Sequence, residues 1–230
     1  MSRIFLLRHA LSVANDSGVL AGQISGIALS SAGREQALDL VERIGSIKFD
    51  SVRVSPMQRC QETIAPWIES AYGSGLAQYT LDDQIIEMDY GPWSGKKLSK
   101  LSREKLWKQI QSQPSRVTFP DGEKFSAMQK RSFKTMQELG STKKGTSHLL
   151  VSHGDVIKAI IASCLKMKLD DFQSLIVDPA SVTVIDFDGE TSRLIAYNDK
   201  ANDFAKFMKT SKSMKALLGG GAGAKGKKST

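Results

Sequence analysis

The stretch Ile4-Phe5-Leu6-Leu7-Arg8-His9-Ala10 lies close to the N-terminus and joins a short apolar run to an Arg–His pair. A continuous apolar run of this length, bounded by polar residues, is typical of a strand that is buried on both faces. The pattern returns once, as Leu149-Leu150-Val151-Ser152-His153-Gly154-Asp155. In an open α/β sheet, ligands bind at the carboxyl ends of the strands. We therefore expect His9 and His153, two of the three histidines, to lie at such a site.

Apolar spacing predicts that strands and helices alternate around these two runs. The predicted strands are residues 3–7, 52–54, a short strand at Tyr79 and Leu81, 148–151, 182–187 and 194–197. The predicted helices are residues 31–45 with Ser30 as a cap, 56–72 with Ser55 as a cap and Pro66 as a kink, 100–111, 125–139 and 155–165. This order predicts the α/β class, as a three-layer α/β/α sandwich with a mostly parallel central sheet.

Charge is distributed unevenly along the 230 residues, whose net charge is +8. The segment from Ala205 to Thr230 contains seven lysines and no acidic residue, which leaves +1 for residues 1–204. We expect one folded domain over residues 1–204 and a largely disordered Gly/Ala/Lys tail over residues 205–230. Because the positive charge belongs to the tail, a basic nucleic-acid-binding domain and a stable nucleic-acid partner are not expected.

Composition also predicts the compartment. No stretch approaches the roughly 20 apolar residues that span a bilayer, and the first strand is too short for the core of a signal peptide. Cys60 and Cys164 are far apart in sequence, which favours two free thiols in a reducing compartment. We expect a cytoplasmic protein without a membrane partner, and a homodimer is left open.

Four side chains from three segments suggest phosphoryl chemistry. The forked guanidinium groups of Arg8 and Arg59 match phosphate oxygens and stay charged at any working pH. The neutral imidazole of His9 is a competent nucleophile towards phosphorus. Glu87 offers a carboxyl group that protonates a leaving alcohol and then activates water. Asp83 and Asp89 are the alternative carboxyl groups in the same loop.

Motifs in the same order resemble the histidine phosphatase superfamily, which is also called phosphoglycerate-mutase-like. The resemblance extends from about residue 3 to residue 197. Its motifs are Leu7-Arg8-His9-Ala10-x-Ser12-x-x-Asn15, Ser55-Pro56-x-x-Arg59-Cys60-x-x-Thr63, Glu87-x-Asp89-Tyr90-Gly91-x-Trp93-Ser94-Gly95 and Val151-Ser152-His153-Gly154.

The resemblance implies a role for each matching residue. His9 would be the phosphorylated nucleophile and Glu87 the proton donor. The phosphate pocket would comprise Arg8, Arg59 and His153, with Asn15 and Gly22 as further contacts. It also implies chemistry without a metal or other cofactor, and no His, Cys or carboxylate cluster has metal-ligand spacing.

The resemblance favours a phosphatase that acts on a small phosphomonoester, and a phosphoglycerate-type mutase is the alternative. The mutases resemble one another in a longer insertion after the Glu-containing loop, whereas residues 93–125 are compact here. The turn at residues 119–123 looks like the Pro-Gly-Gly-Glu turn of the phosphatase branch. Ala10 departs from the family, which usually has glycine there, and its methyl group is expected to crowd the phosphate side slightly.

Two interpretations from other classes remain. A phosphate-binding scaffold with weak or lost turnover would explain Ala10, and a nucleic-acid binder would depend on the tail. Structural interpretations also compete at single residues: a strand-end histidine is often structural, and Cys60 is expected to be a packing residue. His148 is expected at the surface or as a cap.

Overall fold

The two apolar runs that end in histidine form adjacent parallel strands inside a six-stranded sheet. The computed structural model describes residues 1–73 and 79–208. The strands are β1 (Ser2–Arg8), β2 (Ser51–Val54), β3 (Thr80–Leu81), β4 (Ser147–Ser152), β5 (Val182–Phe187) and β6 (Ser192–Asp199). Their order is β3-β2-β4-β1-β5-β6. Strands β3, β2, β4 and β1 are parallel, and β5 and β6 add antiparallel pairs at one side, which confirms a mostly parallel sheet.

Helices cover both faces of this sheet. They are α1 (Val13–Asp16), α2 (Ser31–Ile44), α3 (Gln58–Glu69), α4 (Leu98–Leu101), α5 (Lys105–Ser112), α6 (Phe125–Gly140), α7 (Gly154–Cys164) and α8 (Ala205–Met208). Successive side chains of a strand point to opposite faces, and β1 shows the consequence. Ile4 and Leu6 are buried in the hydrophobic core on the side of α6 and α7. Phe5 and Leu7 are buried in a second core on the side of α2 and α3, which confirms the three layers.

Of the two predicted helix caps, Ser30 is correct and Ser55 is wrong. The Ser30 hydroxyl accepts a hydrogen bond from the Gly33 amide and caps α2 as predicted. The predicted start of the next helix at Ser55-Pro56 is wrong, because α3 begins at Gln58 after Met57, which makes no side-chain cap. The Ser55 hydroxyl lies instead 2.7 Å from Nε2 of His153, a partner that is remote in sequence. Pro66 lies inside α3, which ends at Glu69.

The helix predicted over residues 100–111 is two helices, α4 and α5. Leu101 and Leu106 are five positions apart, which turns a continuous helix by about 140° and would separate their apolar faces. The break at residues 102–104 lets Leu101 be buried and Leu106 pack against the same core. His148 lies in β4 but differs from the expected surface or capping position, because it is buried.

The expected tail falls mostly outside the described residues, as do residues 74–78. Residues 205–208, at the start of that segment, form α8, and Phe207 packs in the core that contains Phe5. Across residues 1–73 and 79–208, no helix has the length and apolar character needed to cross a bilayer.

Candidate active site

His9 and His153 lie side by side because β1 and β4 are parallel and in register. Arg8 is opposite Ser152 in the ladder, so each histidine is the first residue after its strand. The amide of His9 donates a hydrogen bond to the carbonyl of Ser152, and the two imidazole centroids are 5.2 Å apart. Strand register alone therefore brings together residues that are far apart in sequence.

A cavity of about 350 Å³ opens at this edge of the sheet. It will be called the catalytic cavity, and six predicted site residues line it: Arg8, His9, Asn15, Gly22, Arg59 and Glu87. His153 is fully buried and lies behind this lining, in contact with Arg59. The structure thus brings all seven predicted residues together and places His153 one layer deeper than the others.

His9 is held in one tautomer by the backbone. Its Nδ1 lies 2.7 Å from the carbonyl oxygen of Ala10, which can only accept a hydrogen bond, so Nδ1 carries the hydrogen. Nε2 of the neutral ring then keeps its lone pair. Burial, with Arg59 and Arg8 nearby, lowers the pKa of His9 well below its ordinary value, so the ring is neutral at physiological pH.

Arg59 is a buried cation and Arg8 is half-buried, and both have unused donors. Nη1 of Arg8 donates to the carbonyl of Val177, and Nη2 of Arg59 donates to the carbonyl of Gly22 at 2.9 Å. Within the described part of the chain, Nε of Arg8 and Nη1 of Arg59 are buried and have no hydrogen-bond partner. Leaving such groups unpaired is costly, so both donors favour an anion in the catalytic cavity.

His153 supports Arg59 from behind. Nη2 of Arg59 lies 3.1 Å from Nδ1 of His153, and a guanidinium group can only donate. Nε2 therefore carries the hydrogen and donates to the Ser55 hydroxyl. Burial, followed by the charge of Arg59, lowers the pKa of His153 well below its ordinary value, and the neutral ring fixes the guanidinium in place.

Glu87 is the buried carboxyl group of the catalytic cavity. Its Oε1 accepts a hydrogen bond from the amide of Met88, and its Oε2 lies 3.8 Å from Nη2 of Arg59 and 3.6 Å from Nδ1 of His153. Burial raises the pKa of Glu87 from 4.5 to about 7, although the charge of Arg59 opposes the shift. A carboxyl group with this pKa exchanges protons in both directions near neutral pH.

The alternative carboxyl groups do not line the catalytic cavity. Asp83 is exposed, and Oδ1 of Asp89 accepts a hydrogen bond from the amide of Gly91. The second carboxylate of the cavity lining is Asp155, which the sequence analysis did not select. Its position two residues after His153 is the sequence feature that could have identified it as a site residue.

Sequence analysis also missed the residue that holds the Glu87 loop. Arg131 on α6 makes a bidentate ion pair with Glu123 at 2.7 and 3.0 Å. Its guanidinium also donates to the carbonyls of Gln84, Ile86 and Glu87. This clamp fixes the loop backbone, and no local pattern links residue 131 to a loop more than forty positions earlier.

Asn15 and Gly22 occupy the cavity rim with local roles. Oδ1 of Asn15 accepts hydrogen bonds from the amide and the hydroxyl of Ser12, which completes a capping box at α1. This leaves the amide NH₂ of Asn15 as the donor for a ligand. Gly22 has a φ of +52°, and a Cβ there would lie 2.5 Å from the Ser94 hydroxyl oxygen.

The expected crowding by Ala10 is wrong. Ala10 is fully buried in the core on the side of α2 and α3, and it is not among the residues that line the catalytic cavity. Its backbone amide donates to the Thr63 hydroxyl, which directs the methyl group into packing. Cys60 is also fully buried, and burial raises the pKa of its thiol to about 12, as suits a packing residue.

Across residues 1–73 and 79–208, no set of three or more His, Cys, Asp or Glu side chains is arranged to hold a metal ion.

Comparison with known proteins gives a family-level match. A sequence model of the histidine phosphatase superfamily (branch 1) matches residues 4–200. Phosphoserine phosphatase 1 of Hydrogenobacter thermophilus is 26% identical over 200 residues, which cover 86% of this chain and 92% of the relative. A probable phosphoglycerate mutase of Erwinia tasmaniensis is 26% identical over 188 residues, which cover 81% of this chain and 85% of the relative.

A solved structure shows the same fold. Phosphoserine phosphatase from Entamoeba histolytica, in complex with phosphoserine, superposes with a TM-score of 0.77 at 21% identity. The match covers 87% of this chain and 98% of that protein.

Proposed function

This chain belongs to the histidine phosphatase superfamily, and from that premise we propose that it hydrolyses a small phosphomonoester through a phosphohistidine on His9. One observation carries the proposal. The unprotonated Nε2 of His9 shares a cavity with two guanidinium groups that each have a buried N–H without a hydrogen-bond partner among the described residues. Phosphoryl transfer requires this arrangement, in which a nucleophile lies beside N–H groups that can bind phosphate oxygens.

In the first step, Nε2 of His9 attacks phosphorus in line with the ester oxygen. The P–N bond forms, the P–O bond to the alcohol breaks, and the proton of Glu87 passes to the leaving oxygen. Arg8 and Arg59 stabilise the charge on the three equatorial oxygens, and their hydrogen bonds to the Val177 and Gly22 carbonyls hold them in place beforehand.

In the second step, water attacks the phosphohistidine. The Glu87 carboxylate takes the proton from water, the P–N bond breaks, and Nε2 of His9 regains its lone pair. Glu87 must act first as an acid and then as a base, and a pKa of about 7 suits both steps. The proposed roles of the other site residues are phosphate binding for Arg8, Arg59, Asn15 and Gly22, and positioning of Arg59 for His153.

The mutase alternative is less favoured. A phosphoglycerate substrate carries a carboxylate besides its phosphate, and Lys158 is the further cation of the described cavity lining. Lys158 already lies 3.2 Å from Oδ1 of Asp155 and 2.7 Å from Oε1 of Gln173. A scaffold without turnover is also disfavoured, because Ala10 leaves the catalytic cavity undisturbed.

The cellular setting forms part of the proposal. Cys60 and Cys164 are free, buried thiols, which fits a reducing, cytoplasmic compartment. We also propose one catalytic domain, whose expected end near residue 204 moves to about residue 208 because Phe207 packs in its core, followed by a basic tail without a stable nucleic-acid partner.

The test is phosphate release from 4-nitrophenyl phosphate in the presence of a chelator. Wild type is expected to turn over and His9→Ala to be inactive. Rapid quenching should trap phosphate on the wild-type protein in an acid-labile, base-stable form, as expected for phosphohistidine. Turnover that survives in His9→Ala would refute the route, and conversion of 3-phosphoglycerate into 2-phosphoglycerate would favour the mutase.

A further inference from the structure

A second cavity of about 190 Å³ adjoins the catalytic cavity. It will be called the aromatic annex, and its own walls are formed by Trp93, Trp107, Ile110, Gln111, Phe119, Phe125 and Gln173. Four residues line both cavities: Leu20, Tyr90, Leu98 and Asp155. The aromatic annex therefore borders the space in which the phosphate and its ester oxygen would lie.

The walls of the aromatic annex are flat and fixed. The rings of Trp93 and Trp107 stack with centroids 6.5 Å apart and planes inclined by 20°. Phe119 meets the Trp93 ring edge-on at 5.5 Å. Trp93, Phe119 and Phe125 are buried, so these surfaces are already ordered before a ligand binds. An apolar cavity of about 150 Å³ is known to bind benzene, so the aromatic annex has room for a single ring.

The four described residues that line both cavities include no cation, and the neighbouring Lys158 is already paired. Oδ2 of Asp155 accepts a hydrogen bond from the Tyr90 hydroxyl at 2.8 Å, and Oδ1 contacts Lys158. Lys158 is also held by Gln173 and lies 4.4 Å from the centre of the Phe172 ring. Asp155 is the charged residue among the described residues that line the aromatic annex. A second negative group on the substrate would meet this carboxylate rather than an unpaired cation.

We propose that the aromatic annex binds the alcohol portion of the substrate. The substrate class is then a phosphomonoester whose alcohol is uncharged and carries an apolar group about the size of one ring. This differs from phosphoserine, whose alcohol portion carries a carboxylate. The inference rests on the proposed function, because the phosphate must sit beside His9 for the alcohol to reach the aromatic annex.

The first experiment compares benzyl phosphate, ethyl phosphate and phosphoserine as substrates of the wild-type protein. All three release unactivated alcohols, so their rates differ mainly in how the alcohol portion is bound. We expect kcat/KM for benzyl phosphate to exceed the other two by about tenfold or more, as for a filled apolar pocket. Equal values, or a preference for phosphoserine, would overturn the inference.

Variants then test whether residues of the aromatic annex produce the preference for benzyl phosphate. Trp107→Ala removes one wall and is expected to reduce the benzyl-to-ethyl ratio by about tenfold, the size of a lost aromatic contact and its buried area. Gln111→Trp fills the aromatic annex from an exposed position and should reduce the same ratio without disturbing the core. Leu106→Ala is the matched control on the same helix, because Leu106 packs against the core and does not line the aromatic annex. A ratio that falls equally in Leu106→Ala would refute the assignment.

A binding measurement separates this inference from the proposed function. Calorimetry with benzylphosphonate and methylphosphonate, which resist hydrolysis, should give tighter binding of the benzyl compound in wild type and a smaller difference in Trp107→Ala. Ring-dependent binding without turnover of any ester would refute the phosphatase and keep the aromatic annex. Turnover without ring-dependent binding would refute the role of the aromatic annex and keep the phosphatase.

Discussion

The floor of the catalytic cavity and the aromatic annex are built from different parts of the chain. The floor is defined as Arg8, His9, Arg59 and Glu87, together with His153 behind them. In the floor, Arg8 and His9 lie where β1 ends, and His153 follows β4. Most of the aromatic annex is formed by residues between β3 and the start of α6, where short helices and turns replace the regular alternation. Sheet register fixes the first region, whereas the second depends on how an inserted segment packs. Chemistry and selectivity can therefore vary separately in this fold.

Burial also acts differently in the two regions. In the floor it changes proton affinities, because it lowers the pKa of His9 and raises that of Glu87. In the aromatic annex it only provides ordered apolar surface. Variants of the floor should consequently lower the rate for every ester, whereas variants of the aromatic annex should change the ratio between esters.

The largest effect is expected for His9→Ala, because it removes the attacking atom. We expect kcat to fall by at least about 10³-fold for benzyl and ethyl phosphate alike. His148→Gln is the matched control, since this buried histidine lies in β4 among Ser51, Thr142 and Thr146, away from the catalytic cavity. A His9→Ala loss confined to one ester would contradict the separation of the two regions.

Glu87→Gln is expected to lower kcat/KM for ethyl phosphate by about 10²-fold or more, because the leaving ethoxide loses its proton donor. The loss should be much smaller for 4-nitrophenyl phosphate, whose leaving group is stable as an anion. Asp83→Asn, an exposed carboxyl group of the same loop, is the control and should retain full activity. Equal losses for both esters would indicate that Glu87 has only a structural role.

The pH profile follows from the same group. Burial raises the pKa of Glu87 to about 7, and the acid is competent only when protonated, so kcat/KM for ethyl phosphate should fall as pH rises above about 7. Because the pKa of His9 is lowered well below its ordinary 6.5, loss of the neutral nucleophile should occur only in more acidic solution. The alkaline fall should vanish in Glu87→Gln, and its persistence there would assign it to another group.

Gly22→Ala tests whether the Arg59 contact depends on close packing, with an expected loss of roughly tenfold in kcat/KM. The new methyl group would meet the Ser94 hydroxyl and displace the carbonyl that accepts from Arg59. Gly18→Ala separates strain from crowding, because Gly18 has a φ of +62° and a Cβ there would meet nothing within 4 Å. An equal loss in both variants would point to backbone strain alone.

The smallest effect is expected for Ser55→Ala, at a few-fold in kcat/KM. The variant removes one hydrogen bond to His153, which is worth about 1 kcal/mol, and leaves the imidazole packed. Ser181→Ala is the control, because its buried hydroxyl has no hydrogen-bond partner within the described part of the chain. If the Ser55→Ala loss matched that of Glu87→Gln, His153 would need a more direct role than positioning.

Much of the fold follows from local pattern. The six strands and the long helices are predictable because apolar spacing is set by strand and helix geometry, and the Ser30 cap depends on a residue three positions away. The break at residues 102–104 escapes prediction because continuous helix propensity conceals the change of apolar face between Leu101 and Leu106.

Local sequence is sufficient to place the side chains that follow β1 and β4, because a continuous apolar run shows where each buried strand lies and ends. The surroundings of those side chains depend on tertiary contacts. Folding brings Ser55 to His153 instead of a helix cap, buries Ala10 away from the catalytic cavity, and places Arg131 on the Glu87 loop. These contacts join residues that are distant in the chain, so no local periodicity encodes them. The aromatic annex belongs to the same class, since its shape arises only when the segment after β3 packs against the sheet.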